Sequence, residues 1–344
     1  MILKINNKKV DFFDSFSLNL AFNSVASTFS FDGYFNPDNP EHRAIYKPGT
    51  YQRVTLEHNG ELLLTGTMLS STFNSGPNIK TVPIGGYSLP GVLEDSDIPT
   101  SMYPLQSDGR TLQEITERLI KPFGIKLLNS NLGNVEIANI GKKLEKSTAK
   151  ESQNIKSYIT SLAAQKNIIV SHDEFGNLLF TKAQTNKKPI LDFDGGVPET
   201  EMSLSFNGQG MHNNITVIKQ ASVDGGNAGE SAINNPYVSA YRSSVKNQNS
   251  GDDNDTPRAA RYLLSNELRN IKLAIQTDRW EVDGKIIKPN NLITVINPNL
   301  YIFKKTNFFI ESINFIGDKE KTIATLNCVL PEVYNGQTPK NIFN

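Results

Sequence analysis

The sequence predicts a mainly β protein with an α+β insertion: two similar small β-barrel domains plus a helix-strand module. Three observations predict it. From Trp280 to Pro331, β-branched and aromatic residues alternate with polar ones between short turns, the pattern of half-buried strands. The N-terminal region repeats the punctuation of that stretch, because Lys47-Pro48 and Lys288-Pro289 each set a turn ahead of a strand valine, Val54 and Val295, with a two-arm hairpin following. Between the two, from about residue 105, the apolar period changes from two to 3.6.

Residues 1–100 read as the first barrel. Phe12–Phe22 and Val25–Phe31 alternate, with Phe16, Leu18, Leu20 and Phe22 on one face. Asp32–Lys47 holds Asn36, Pro37, Asp38, Asn39 and Pro40 and reads as a crossing loop. Val54-Thr55-Leu56 then leads through a His58-Asn59-Gly60 turn to strands Leu62–Thr65 and Thr67–Phe73 on either side of Gly66. Asn74–Asn78 turns the chain into Ile79–Ile84, and Gly85-Gly86-Tyr87-Ser88 closes the barrel.

Residues 101–188 read as the inserted module. Thr111 and Glu114 make a capping box, Leu112, Ile115 and Leu119 an apolar stripe, and Pro122 a stop before a strand at Ile125–Leu128. The order recurs: Ser152 precedes a helix carrying Ile155, Tyr158, Ile159 and Leu162, followed by strands Ile168–Val170 and Leu178–Phe180 around the turn Asp173–Asn177. Each helix covers one side of a short sheet.

Residues 189–344 read as the second barrel, with strands at Ile190–Phe193, Met202–Phe206 and Ile215–Ile218. A long polar loop, 221–256, is rich in Gly, Asn, Ser and Asp and is expected to be mobile or ordered by a partner. Thr256 as N-cap and Pro257 at the first turn start a helix over 257–270, with Ala260, Leu263, Leu264 and Leu268 inward. Strand Ile271–Ile275 follows, then the Val282-Asp283-Gly284 hairpin, strand Leu292–Ile296, and a last hairpin with arms Phe308–Phe315 and Thr322–Leu330 around Gly317-Asp318-Lys319-Glu320. Phe309, Ile313 and Phe315 share a face opposite Ala324, Leu326, Cys328 and Leu330.

Composition narrows the function classes. The 35 basic and 35 acidic residues give no net field for nucleic acid or an anionic membrane. The single cysteine, Cys328, reads as a buried small hydrophobe, and no disulfide forms within the chain. The apolar run at Met1–Ile5 is too short for a signal peptide, and no segment reaches the ~18 apolar residues of a membrane span, so synthesis and folding in a cytoplasm are expected. No catalytic, cofactor-binding or metal-ligating residue is assigned. The acidic trio Glu94, Asp95 and Asp97 has no histidine or further carboxylate at ligand spacing and reads as a solvated or interface loop. Gly225–Gly229 lacks the lysine and Ser/Thr of a phosphate loop, and Thr256-Pro257 interrupts a calcium reading of Asp252–Asp255. His42, His58, His172 and His212 fall on separate elements, with His172 read as an exposed structural histidine. A paired-carboxylate glycosidase stays open, since two carboxylates can meet from anywhere in a fold.

The succession Gly85-Gly86-Tyr87-Ser88, Val92–Ser96, two helix-strand units, a helix feeding Trp280-Glu281-Val282, Lys288–Val295, and a hairpin ending Leu330-Pro331 resembles the baseplate hub proteins of contractile phage tails. The phage Mu hub type is the nearest, and the N-terminal part of secretion-system spike proteins has a similar plan. Tyr87-Ser88 stands where the family commonly has Arg-Ser or Lys-Ser, and Asn290-Asn291 where it has a Pro-Gly context. The resemblance implies a non-enzymatic homotrimer whose two barrels per subunit make a pseudo-sixfold ring. Such a ring joins a sixfold tail tube, or tube adaptor, to a threefold spike among baseplate wedge proteins and lets DNA pass. It implies a place in the virion baseplate, assembly in the host cytoplasm, and neither cofactor nor membrane anchor. The rival readings are a tail-associated peptidoglycan or glycan hydrolase and a host-glycan-binding module.

Overall fold

In the computed structural model the chain is described throughout except at residues 11, 77–79, 103–106, 145–147, 151, 195–199, 220–228, 249–255 and 319. It is mainly β. Two units divide it: Met1–Lys182 with Arg279–Ile287 and Ser312–Ala324, and Ala183–Asp278 with Lys288–Glu311 and Thr325–Asn344.

The first unit is built on antiparallel pairs in the order Lys8–Lys9, Ile2–Ile5, Arg53–His58, Glu61–Ser71, Thr81–Ser88, Thr28–Tyr34 and Phe13–Ala21, the last paired with Ser312–Gly317. Phe16, Leu18, Leu20 and Phe22 are all buried, as the alternation requires. The Asn59-Gly60 turn has both residues at positive φ, the backbone that joins two strands in register.

Gly66 does not separate two strands, because Glu61–Ser71 is continuous through it. A Cβ there would lie 2.2 Å from the Tyr87 carbonyl oxygen, so the residue type serves a close backbone approach. Gly85 and Gly86 likewise lie inside strand Thr81–Ser88, where a Cβ on Gly86 would meet the Thr67 carbonyl at 2.0 Å. The expected turn at Asn74–Asn78 falls partly on 77–79, outside the described residues. The expected crossing loop carries a helix, Pro40–Ile45, whose N-cap Asn39 accepts a hydrogen bond from the Glu41 N–H.

The same unit holds a three-stranded sheet in the order Leu127–Asn129, Leu178–Thr181 and Ile169–His172, its first pair parallel and its second antiparallel. Helix Leu112–Ile120 starts at the Thr111/Glu114 capping box, with both reciprocal bonds present. Helix Ile155–Gln165 follows Ser152 as expected and is capped by Asn154, whose side chain accepts from the Ser157 N–H at 2.7 Å. Leu112, Ile115, Leu119, Ile155, Tyr158, Ile159 and Leu162 bury into one core with Val170, Leu178 and Phe180. A further helix, Asn134–Gly141, stands where none is expected.

In the second unit Leu292–Asn297 pairs in parallel with Leu191–Asp194 and antiparallel with the Ile302 end of the long strand Ile302–Gly317. Glu201–Phe206 pairs antiparallel with Ile271–Thr277, which neighbours the strand Thr322–Val329. Among the described residues no ring of pairings closes, so neither unit is a closed barrel: Glu201–Phe206 and Leu191–Asp194 each have one partner strand, as Lys8–Lys9 does in the first unit. Two lysines side by side on that last strand put charge on its open edge, which discourages further pairing.

The segment expected to be a polar loop is corrected in its middle. Residues 221–228 and 249–255 lie outside the described residues, but Gly229–Asn234 and Ser243–Asn247 are strands on either side of Asn214–Lys219. Their side chains are mostly polar and give no run of alternating apolar residues, so no apolar face betrays a strand. The apolar face is supplied by the partner: Ile215 and Val217 are buried. Helix Thr256–Leu268 takes in Thr256, expected as its cap, ends two residues short of 270, and buries Ala260, Leu264 and Leu268, with Leu263 left half-buried.

Candidate assembly surface

The second unit presents an aromatic patch to solvent. Asn297 caps the one-turn 3-10 helix Pro298–Leu300, its side chain accepting from the Asn299 N–H. Tyr301 then takes a left-handed backbone, φ 63°, and turns the chain into the long strand. That turn leaves Tyr301 63% and Phe303 54% exposed, because alternate residues of the emerging strand share a face. Their rings meet edge to face at 5.2 Å, and Phe343 packs on Tyr301 at 6.3 Å and on Phe206 at 6.0 Å. Phe206 is itself 46% exposed and ends the edge strand Glu201–Phe206.

Buried Tyr237 fixes Phe343 from behind: its ring lies 5.8 Å away, and its hydroxyl donates to the Lys340 carbonyl at 3.0 Å. Burial pushes the Tyr237 phenol up, so it remains a donor. Single exposed apolar residues are ordinary, but four contacting rings beside an open strand edge form the kind of contiguous patch that marks a protein contact. Tyr301-Ile302-Phe303 was there as an alternating pair, but nothing in the sequence joins it to Phe206 and Phe343.

Among the described residues, the acids and histidines that could carry chemistry have structural partners. Glu94 pairs with Lys156, and Asp95 accepts from the Tyr87 hydroxyl at 2.9 Å. Burial first, and that bond second, push the Tyr87 phenol up. Asp97 bridges Asn154 through backbone pairing. The four histidines do not converge. His42 Nδ1 accepts from the Asn36 N–H; His58 contacts Glu281 at 2.9 Å. His172, expected to be exposed, is instead held between the Ser24 carbonyl at 3.0 Å and the Ser27 hydroxyl at 2.8 Å. His212 pairs with Glu267 at 2.7 Å. Buried Cys328 has its thiol pushed up by burial, which makes it inert. Among the described residues no group of three His, Cys, Asp or Glu side chains is placed to hold a metal ion, and no helix is long and apolar enough to cross a membrane. The Asp252–Asp255 cluster and most of the Gly225–Gly229 cluster lie outside the described residues.

No family model and no curated protein matches the sequence. Solved structures do match, and the class they define is that of phage tail proteins, whose fold this chain has. The 43 kDa tail protein of prophage MuSo2 from Shewanella oneidensis superposes with a TM-score of 0.81 at 18% identity, over 97% of this chain and 98% of that one. A tail protein from Neisseria meningitidis MC58 gives 0.79 at 15% identity over 98% of each. An E. coli type VI secretion component, itself described as similar to the T4 tail proteins gp27 and gp5, gives 0.57 at 12% identity over 99% of this chain and 80% of that one. The likeness therefore runs through phage tails to a secretion-system component, as the resemblance in the sequence implies.

Proposed function

We propose that this chain is the structural baseplate hub of a contractile tail. Three copies form a ring, each contributing two β units, so that six similar units face a sixfold tube or tube adaptor and three subunits face a spike. The observation that carries the reading is the end-to-end likeness to the Shewanella tail protein, which leaves no large part of either chain unmatched. The secretion component's own likeness to T4 gp27 and gp5 supports the spike side. Internal duplication is supported by the two valine strands: Val54 and Val295 are both fully buried, each on a strand held between two others.

The aromatic patch around Tyr301 serves as a contact to a neighbour in that assembly. DNA passes through the ring without being held, in keeping with a chain of zero net charge, since a basic wall would retain the phosphate backbone. Light scattering on the purified chain tests the reading: a particle of about three times 38.1 kDa, ring-shaped by negative stain, is expected. A monomer that stays monomeric when mixed with tube and spike proteins contradicts it.

A further inference from the structure

The second unit carries a small polar cavity of about 260 Å³ that the hub reading does not use. It lies where helix Thr256–Leu268 meets the strands Asn214–Lys219 and Ser243–Asn247. Its lining is apolar at buried Ile215 and half-buried Leu263 and polar at His212, buried Ser244 and exposed Lys246 and Asn266.

Glu267 sets the character of this cavity by what it does to His212. One carboxylate oxygen accepts from His212 Nδ1 at 2.7 Å; the other accepts from the His212 backbone N–H at 2.8 Å and takes a long contact from the Asn235 amide at 3.5 Å. Both oxygens are thus engaged, and the ring is held in one orientation with Nδ1 donating to the carboxylate, which in the neutral imidazole leaves Nε2 as an acceptor. Among the described residues Nε2, the Ser244 hydroxyl, the Lys246 ammonium and the Asn266 amide have no protein partner. The set is one fixed acceptor, one cation and two groups that both donate and accept, beside a small apolar lining.

We propose that this cavity binds one carboxylate-bearing sugar unit of a glycan. Lys246 takes the carboxylate, and His212 Nε2, Ser244 and Asn266 take ring hydroxyls, with the C–H face of the sugar on Ile215 and Leu263. Size supports a single unit, because drug-sized ligands fill ~300–1,000 Å³. A free inorganic anion matches the cation but not the acceptor or the apolar lining. The assignment is independent of the hub reading and stands or falls separately from it.

The test is a titration of the full chain with glucuronate, glucose and inorganic phosphate, each up to ~50 mM, followed by calorimetry and by the imidazole resonances, with His212→Phe assigning that ring. Glucuronate is expected to bind saturably and shift the His212 resonance, with glucose and phosphate each weaker by about fivefold or more. Lys246→Met, an exposed change that leaves the fold intact, should reduce glucuronate to the level of glucose. Three results would overturn the proposal: no saturable shift at His212 with glucuronate, glucose binding as tightly as glucuronate, or phosphate matching it, which would mark an adventitious anion site.

Discussion

Val54 and Val295 are the residues at which the proposed duplication is most directly tested. Both are fully buried in strands paired on each side, so an aspartate at either is cut off from water. Val54→Asp and Val295→Asp are each expected to lower stability by at least ~3 kcal/mol and to abolish assembly. Chemical denaturation of the purified variants checks the first, and sedimentation the second. His172 makes a pH prediction. Burial lowers its imidazole below the usual 6.5, so in acid the unfolded chain takes up a proton that the native ring resists. Stability is full above about pH 6.5 and falls as the pH drops from there toward the lowered folded value. Melting curves at pH 7.5 and 5.5 should show this loss, and His172→Gln, which keeps a polar side chain but cannot titrate, should shrink the difference between them. An unchanged difference would remove the histidine from the account.

At the scale of elements, helix starts and hairpin turns were legible and glycine-rich strands were not. The Thr111/Glu114 box could be read because its chemistry is local, two residues on one turn bonding to each other. Thr111→Ala should therefore cost about 1 kcal/mol, a small drop in melting temperature. Gly66, Gly85 and Gly86 misled because glycine signals a break in isolation; what explains them is the backbone of a neighbouring strand, invisible along the chain. Gly86→Ala puts a methyl group against the Thr67 carbonyl and the Phe29 ring and is expected to cost ~1–3 kcal/mol or more, well above the cap substitution. Equal melting temperatures for the two variants would show that the strands can move apart at no cost. Pro40–Ile45 could have been found from Asn39-Pro40, a cap followed by a first-turn proline. The strands Gly229–Asn234 and Ser243–Asn247 could not, since their polar side chains give no alternation and the apolar face belongs to Asn214–Lys219. The aromatic patch and the His212–Glu267 pair were hidden for the same reason: Phe206 and Phe343 are far along the chain from Tyr301 and Phe303, as His212 is from Glu267, and they meet only in the folded unit.

For the whole molecule, the order of elements was a better guide than any site, because a chain that assembles carries its function in faces and edges. The central claim is a threefold ring of chains that each supply two similar β units to a tail. Symmetry-free reconstruction of the tip of assembled tails, with this chain located by a fused tag, tests it most directly. The account predicts three copies around the tail axis with six similar β units toward the tube and Tyr301, Phe303, Phe206 and Phe343 covered by a neighbouring protein. A different copy number at that position, or the four rings facing open solvent in the finished tail, would contradict it.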